Sequence, residues 1–264
     1  MLLLNYTKLL ILDFTKSIWK IGICIVVLLL GVITFASYST FYGTDSIPDV
    51  FNYLFIKTSF FTLTIPLFLF FLSFFLPFMM DPLRLTRFKE RKKLGATILF
   101  TVCLVTIVFL AVYFIIGFLY GWWKSGSLSN PWVTEEGTPF ILSKGKVDLS
   151  LFKTGYMFLR YTITEFFAFM VIGLLASFLY LLIPRYILVF FIVEGFLILD
   201  ITIQSVLNFT IFITQAEVSL NNWGNVTYFI GNLIYFSGLI VVLIIGIHMA
   251  SRKRDFIPSV EETE

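Results

Sequence analysis

Long, uninterrupted apolar runs constrain the fold of this chain more than any other feature. Residues 94–120 contain no charged side chain, and residues 51–80 contain only Lys57. Each run exceeds the roughly 20 residues that a helix needs to cross a hydrocarbon core about 30 Å thick. Lipid admits only helices and closed barrels, and barrel strands would alternate apolar and polar residues. The runs therefore predict an all-α, polytopic membrane protein.

The composition indicates the same class of protein. Hydrophobic residues make up 59% of the chain and charged residues 13%, whereas a soluble domain carries about 25% charged residues. Cys24 and Cys103 both fall inside apolar runs. The sequence therefore indicates neither a disulfide framework nor a metal site.

The charged segment at residues 81–93 sets the orientation in the membrane. Its two acids, Asp81 and Glu90, are outnumbered by basic side chains. By the positive-inside rule such a segment lies on the cytoplasmic side. Thirteen of the 19 Lys and Arg residues fall in segments that this orientation places inside. The basic residues of the segment are Arg84, Arg87, Lys89, Arg91, Lys92 and Lys93.

This orientation predicts a single transmembrane domain over residues 1–264, with both termini in the cytoplasm. An amphipathic helix at residues 1–20 is expected to lie in the cytoplasmic interface. The external residues 125–154 are expected to contain one short helix, and residues 208–225 to form a re-entrant or surface-lying helix pair. The six predicted spans cover about residues 21–41, 51–80, 94–120, 155–183, 187–206 and 226–250, and residues 251–264 form a cytoplasmic tail.

The second predicted span is expected to be irregular. Residues 51–80 are too many for an upright crossing. Pro66 and Pro77 lie inside this span and can kink it. A short polar loop, residues 43–50, is expected to precede it.

Polar and charged residues inside predicted spans are candidates for function, because such groups are costly in lipid. Depth along the helices places Glu165 and Asp200 in a similar outer-half layer, with Arg160 close enough to pair with one of them. One hypothesis is a polar lining of a substrate path or a gate between subunits. An alternative is that ion pairs or carboxyl–hydroxyl bonds hold helices four and five together, and a proton pathway is a third reading. The full set is Arg160, Glu165, Glu194, Asp200 and Gln204.

The chain lacks the motifs of several enzyme classes. No stretch matches a P-loop, a zinc motif or a nucleophile elbow. His248 is the only histidine, near the inner end of the last predicted span. We therefore expect that the chain is not an enzyme and has no cofactor of its own.

The order of these features resembles the permease subunit of ABC-2-type ABC transporters. Such permeases have an interface helix before six spans, a cytoplasmic coupling helix between spans two and three, and a partly re-entrant outer segment between spans five and six. The similar features here are residues 1–20, 81–93 and 208–225. The ending is also similar, because a glycine-punctuated last span leads into Arg252-Lys253-Arg254-Asp255-Phe256.

The resemblance implies partners and a location. It implies a separate cytoplasmic ATPase that binds ATP and Mg, a second permease subunit that is identical or paralogous, membrane lipid, and no nucleic acid. It implies a bacterial plasma membrane. A solvated basic loop that touches anionic lipid headgroups remains an alternative for residues 81–93. The residues implied to couple to the ATPase are Leu83, Arg84, Leu85, Arg87, Phe88, Lys89, Glu90, Arg91, Lys92 and Lys93.

The substrate is indicated less directly. Small Phe-rich permeases of this family often export antimicrobial or cytolytic peptides, including the phenol-soluble modulin type, so an amphipathic or lipid-like substrate is expected. The 30-residue external segment and the acids inside the spans depart from the family pattern. Three other classes stay open: an ion-coupled carrier, a membrane scaffold or immunity protein that does not transport, and a membrane enzyme.

Overall fold

The computed structural model describes residues 18–37, 46–56, 59–80, 92–146, 148–207, 211–216, 218, 223 and 225–253. Across these residues every regular element is a helix, which confirms the predicted all-α class. Most of the expected interface helix at residues 1–20 lies outside the described residues. The same holds for most of the basic segment and for most of the cytoplasmic tail.

The helices follow one another along the chain with short connections. A π-helix, Phe60–Thr64, precedes α3, and turns of 3₁₀ helix lie at Pro131–Val133 and Leu149–Phe152. In chain order the α-helices of the described part are α1 (Ile18–Ser37), α2 (Ile47–Leu54), α3 (Ile65–Leu72), α4 (Leu76–Met79), α5 (Lys92–Ser125), α6 (Thr138–Ser143), α7 (Thr154–Leu182), α8 (Tyr186–Leu207), α9 (Ile213–Ala216) and α10 (Val226–Lys253).

Four helices, α5, α7, α8 and α10, each contain a stretch that is long and apolar enough to cross a membrane. By length and composition the chain is therefore a membrane-embedded protein. These helices begin and end within a few residues of the third to sixth predicted spans. Two shorter apolar helical stretches, Ile25–Thr34 and Phe60–Leu72, fall in the first and second predicted spans.

The region predicted as the second span is not one helix, and helix begins earlier than expected. α2 starts at Ile47, inside the predicted polar loop, because Ser46 and Asp49 form a reciprocal capping box with Pro48 in the first turn. After α2 the backbone passes through a turn and the π-helix before α3. Pro66 lacks the N–H that would continue regular α-helical bonding, which accounts for irregular backbone just before it.

α7 lies at the centre of the described bundle and packs along α10 and α5. The approach of α7 to α5 is close at Gly173, where an added Cβ would lie 2.6 Å from Val102 Cγ1. Small residues at such crossings let membrane helices approach closely. Glycine is therefore required here by packing against a neighbour rather than by backbone conformation.

The bundle has two distinct ends, separated by the length of α5. This helix has 34 residues, which at about 1.5 Å each span about 51 Å. Near its first turn Gly95 lies beside His248 of α10, and near its last turn Gly121 packs against the backbone of Ile47. Following the predicted orientation, we call the end with Gly121 the outer end and the end with Gly95 the inner end.

Candidate functional site

A carboxylate at the outer end of the bundle joins three parts of the chain. Asp49 Oδ1 accepts hydrogen bonds from Trp132 Nε1 at 2.7 Å and from Thr138 Oγ1 at 2.5 Å. Its Oδ2 accepts from the hydroxyl and the backbone N–H of Ser46. The side chain is only 8% exposed, so these donors replace the water that it loses.

Three aromatic side chains cover the bundle next to Asp49. Trp132 meets Phe152 edge-on, with ring centroids 5.7 Å apart, and Phe152 stacks on Trp223 at 5.5 Å. All three are fully buried. Asn130 fastens the group, because its amide donates to the Phe152 carbonyl at 2.8 Å. We call Asp49, Asn130, Trp132, Phe152 and Trp223 the outer cap.

Arg160 of α7 contacts the outer cap at Trp223. It is 4% exposed, and its guanidinium donates a hydrogen bond to the backbone carbonyl of Trp223. The same group lies 5.0 Å from the Trp223 ring centroid and 5.2 Å from that of Phe229. A cation over aromatic faces in a desolvated site is stabilising. Arg160 therefore fixes Trp223 in place.

Asp200 binds backbone N–H groups of the outer segment. It is 1% exposed and accepts from Ile211 N at 2.6 Å and from Phe212 N at 3.0 Å, just before α9. This position satisfies donors that a short helix leaves free at its start. The geometry gives Asp200 a structural role at the outer end, and the hypothesis of a polar path lining stays a prediction.

Two residues of α10 hold the same outer segment. Asn232 donates to the Gln215 carbonyl at 3.1 Å, and the Tyr235 hydroxyl donates to the Ile211 carbonyl at 2.5 Å. The described parts of residues 208–225 therefore fold back onto α8 and α10. Residues 208–210, 217, 219–222 and 224 lie outside the described structure.

A second set of polar groups lies between the helices next to the outer cap, with the Tyr161 and Trp223 ring centroids 5.3 Å apart. Glu165 on α7 is fully buried, and neither carboxyl oxygen has a hydrogen-bond partner among the described residues. The Tyr161 hydroxyl, one turn earlier, is also buried without a partner in that part of the chain. On the facing elements Thr64 Oγ1 and Tyr113 Oη share a hydrogen bond of 2.8 Å. We call Thr64, Tyr113, Tyr161 and Glu165 the interior cluster.

Aromatic rings enclose the interior cluster. Tyr161 stacks on Phe55 at 5.0 Å, and Phe55 meets the Tyr113 ring at 5.6 Å. One turn beyond Glu165, Phe169 packs on Phe60 at 5.4 Å. Residues four apart share one helix face, so Glu165 lies between two aromatic layers. Glu165 acts electrostatically on both Tyr113 and Tyr161.

The structure brings together only part of the predicted intramembrane set. Arg160 and Asp200 lie against the outer end, each bonded to backbone. Glu165 forms none of the predicted carboxyl–hydroxyl bonds or ion pairs with a described residue. Glu194 is half-buried on α8, and its Oε1 has no hydrogen-bond partner among the described residues. Gln204 lies further along the same helix and is also half-buried. Of the predicted coupling residues, 83–91 lie outside the described residues, and Lys92 and Lys93 open α5.

Several important residues were missed by the sequence analysis. Asp49 was assigned to a loop, although the Ser46-Ile-Pro-Asp49 pattern is a capping-box signature. Trp132 and Tyr113 had no distinguishing signal, since an aromatic residue in an apolar chain is most often core. At the outer surface Asp148 begins the turn Leu149–Phe152, and hydrogen bonds from Ser150 lower the pKa of this carboxyl.

An apolar groove lies on the surface between α5 and α7. Its volume is about 660 Å³. Exposed side chains such as Ile107, Ile115 and Phe118 border it, and Thr162 is its one hydroxyl-bearing residue among those described. The groove can accommodate acyl or aromatic groups. The polar groups of the outer cap and the interior cluster lie inside the bundle and do not line this groove.

Comparison with protein-family models, with curated proteins and with solved structures finds no match to this chain.

Proposed function

We propose that the chain is the membrane-spanning permease subunit of an ATP-driven exporter, with six spans and a separate cytoplasmic ATPase. In this proposal α1 is the first span, and α2, the π-helix and α3 form the second. The four long helices supply the rest. The basic segment at residues 81–93 is the contact with the ATPase.

The observation that carries the proposal is the position of the two helices that flank the basic segment. α4 ends at Met79, and α5 begins at Lys92, at the inner end of the bundle. The outer cap lies at the other end of α5, about 51 Å away. Positive charge between two helices at one end of a membrane bundle is suited to a cytoplasmic protein partner, since charges set register and apolar anchors give affinity.

Two features of the outer end are compatible with the proposal. Trp122 and Trp123 close α5 and are exposed, as interfacial aromatics are in membrane proteins. The outer segment between α8 and α10 folds back onto the bundle through Asp200 and Asn232. A partly re-entrant segment at this position is the feature that the family resemblance implies.

The apolar groove between α5 and α7 favours an amphipathic or lipid-like substrate. Its walls are almost wholly hydrophobic, with Phe114 and Phe166 among them. A sugar or an inorganic ion would find few polar groups there, whereas an apolar peptide face would be desolvated favourably. We propose that the substrate contacts this surface during export.

A buried carboxyl favours one second candidate, an ion-coupled carrier. Glu165 lies inside the bundle, where ionisable residues commonly bind or relay ions. In that case ATP hydrolysis by a partner would be unnecessary. The experiment below separates the two candidates.

The test is co-purification. The tagged chain is expressed with the ATPase encoded beside it, extracted in mild detergent, and ATP hydrolysis of the purified sample is measured. We expect a stable complex with ATPase activity. Loss of Phe88 and Arg91 together (F88A/R91A) is expected to dissociate the complex or to reduce the activity at least about tenfold, as loss of interface anchors does.

The matched control removes one apolar and one basic side chain from the outer side, Leu142→Ala with Lys146→Ala. Both residues are exposed beyond the outer end of the bundle, so complex formation and ATPase activity should stay unchanged. Failure of the unmutated chain to retain an ATPase would contradict the permease proposal and favour the carrier.

A further inference from the structure

The interior cluster holds a carboxyl group in a setting that suits a neutral acid. Glu165 is 0% exposed, and both oxygens lack hydrogen-bond donors among the described residues. An ionised carboxylate without donors is strongly disfavoured in a low-dielectric interior, whereas the neutral acid carries a much smaller desolvation cost. Asp49 shows the contrast within the same molecule, because its oxygens accept from Ser46, Trp132 and Thr138.

We propose that Glu165 is a proton-binding site within the membrane-embedded bundle, and that the Tyr161 hydroxyl stabilises its deprotonated form. The carboxyl takes up a proton from water and later releases it to water, so its own O–H bond is the one bond that forms and breaks. This inference does not depend on the permease proposal.

Tyr161 is the residue placed to assist. It precedes Glu165 by four positions, so the two side chains lie on one face of α7. Its hydroxyl is buried and has no partner among the described residues, which leaves its proton available for a carboxylate. A hydrogen bond to a charged acceptor is worth more than one to a neutral acceptor.

Other charged and titratable groups face this site from neighbouring elements. Tyr113 of α5 interacts electrostatically with Glu165, but its hydroxyl is already bonded to Thr64. Arg160 and Asp49 act on Tyr161 from the outer side, with opposite charges. Of the two tyrosines that interact with Glu165, Tyr161 is therefore the one whose hydroxyl has no hydrogen-bond partner among the described residues.

Two members of the cluster contact backbone carbonyls at the interruption of the second span. Tyr113 Oη also lies 3.4 Å from the Leu54 carbonyl at the end of α2, and Thr64 Oγ1 donates to the Ser59 carbonyl at 3.3 Å. These contacts sit where the second span is interrupted between α2 and the π-helix. Irregular backbone at membrane depth is tolerated only where it is buried in protein or lines a water-filled cavity, and in this proposal the interruption is where protons reach the cluster.

The test is infrared spectroscopy of the full-length chain, purified and reconstituted in phospholipid vesicles. A protonated carboxylic acid has a C=O stretching band that a carboxylate lacks. At neutral pH we expect a protonated-acid band that decreases reversibly as the pH is raised. The difference spectrum between the two pH values should lose this band in Glu165→Gln and keep it in the control variant Glu135→Gln, which changes an exposed acid of the external segment.

A second pair of variants tests the role of Tyr161. Tyr161→Phe removes the free hydroxyl and should move the midpoint of the band's disappearance upward by about one pH unit, a tenfold effect. Tyr113→Phe removes a hydroxyl that is bonded to Thr64 and should move the midpoint less.

Three results would overturn the proposal. A band missing at neutral pH would show that Glu165 is ionised there, and a band that persists until the protein unfolds would show a permanently neutral structural acid. A band retained in Glu165→Gln would assign the protonated group elsewhere. None of these results affects co-purification with an ATPase, so failure here and failure of the permease proposal can be told apart.

Discussion

The outer cap and the interior cluster both bury a carboxyl group, but among the described residues only the outer cap supplies hydrogen-bond donors to it. Asp49 in the outer cap accepts hydrogen bonds from three residues and is 8% exposed. Glu165 in the interior cluster is 0% exposed and has no hydrogen-bond partner in the described chain. Burial of an acid therefore does not by itself identify its role, because the hydrogen-bond donors around it differ between the two sites.

The difference has a structural cause. Near the outer end, short helices and turns leave backbone and side-chain donors free, and Asp49, Asp200 and Asn130 use them. In the middle of the bundle the backbone N–H groups are consumed by long helices, and the facing side chains are mostly aromatic. Stability there depends on close packing rather than on polar bonds.

The largest expected effect is on the outer cap, with Asp49→Ala. This change leaves the indole N–H of Trp132 buried without its acceptor, removes the bond from Thr138 and breaks the capping box of α2. We expect a loss of about 4 kcal/mol in the free energy of unfolding. The measurement is thermal unfolding in detergent, followed by tryptophan fluorescence.

Glu135→Ala is the control for this variant, because Glu135 is an exposed acid of the same external segment. It should change the free energy of unfolding by less than about 0.5 kcal/mol. Equal unfolding of Asp49→Ala and the unmutated chain would show that the outer cap does not depend on this carboxylate.

The second effect concerns the outer segment, with Asp200→Ala. Loss of the acceptor for Ile211 N and Phe212 N should reduce stability by about 2.5 kcal/mol, since hydrogen bonds to a charged group are lost. Asp200→Asn keeps one acceptor oxygen and should lose about 1 kcal/mol. Limited proteolysis should cleave near α9 faster in the alanine variant, and unchanged cleavage would contradict the assigned role.

A third prediction tests the packed interior with Gly173→Ala. The new Cβ would meet Val102 Cγ1, which is stiff and fully buried, so we expect a loss of about 2 kcal/mol. Gly195→Ala is the control, because no neighbouring atom lies within 4 Å of its added Cβ. Adding Val102→Ala to Gly173→Ala should recover part of the loss, and failure to recover would place the strain elsewhere.

The smallest expected effect is a gain in the free energy of unfolding, at Glu165, whereas the other variants lose stability. Glu165→Met replaces an unbonded acid by an apolar side chain of similar length and should stabilise the protein by about 1 kcal/mol. Glu165→Gln keeps a polar group without partners and should be nearly neutral. Thermal unfolding measures both, and a clear destabilisation by methionine would mean that the carboxyl contributes bonds to the folded state.

Much of the fold was predictable because hydropathy is a local property of the chain. The apolar runs marked α5, α7, α8 and α10 to within a few residues, since a helix in lipid must satisfy its own backbone. The break in the second span was predictable only as a kink at Pro66. The capping box that starts α2 lay in the sequence as Ser46 and Asp49 but was assigned to a loop.

The candidate sites were less predictable because their contacts are distant in the chain. Asp49 receives its hydrogen bonds from Trp132 and Thr138, which are 83 and 89 residues away. Composition and apolar run length alone determined that this is an α-helical, membrane-embedded protein, because lipid admits only helices and closed barrels, and the continuous apolar runs lack the alternation of barrel strands. Tertiary structure alone decided that Asp49 and Asp200 accept hydrogen bonds while Glu165 has no partner among the described residues, because donors reach a buried acid only through packing of remote segments.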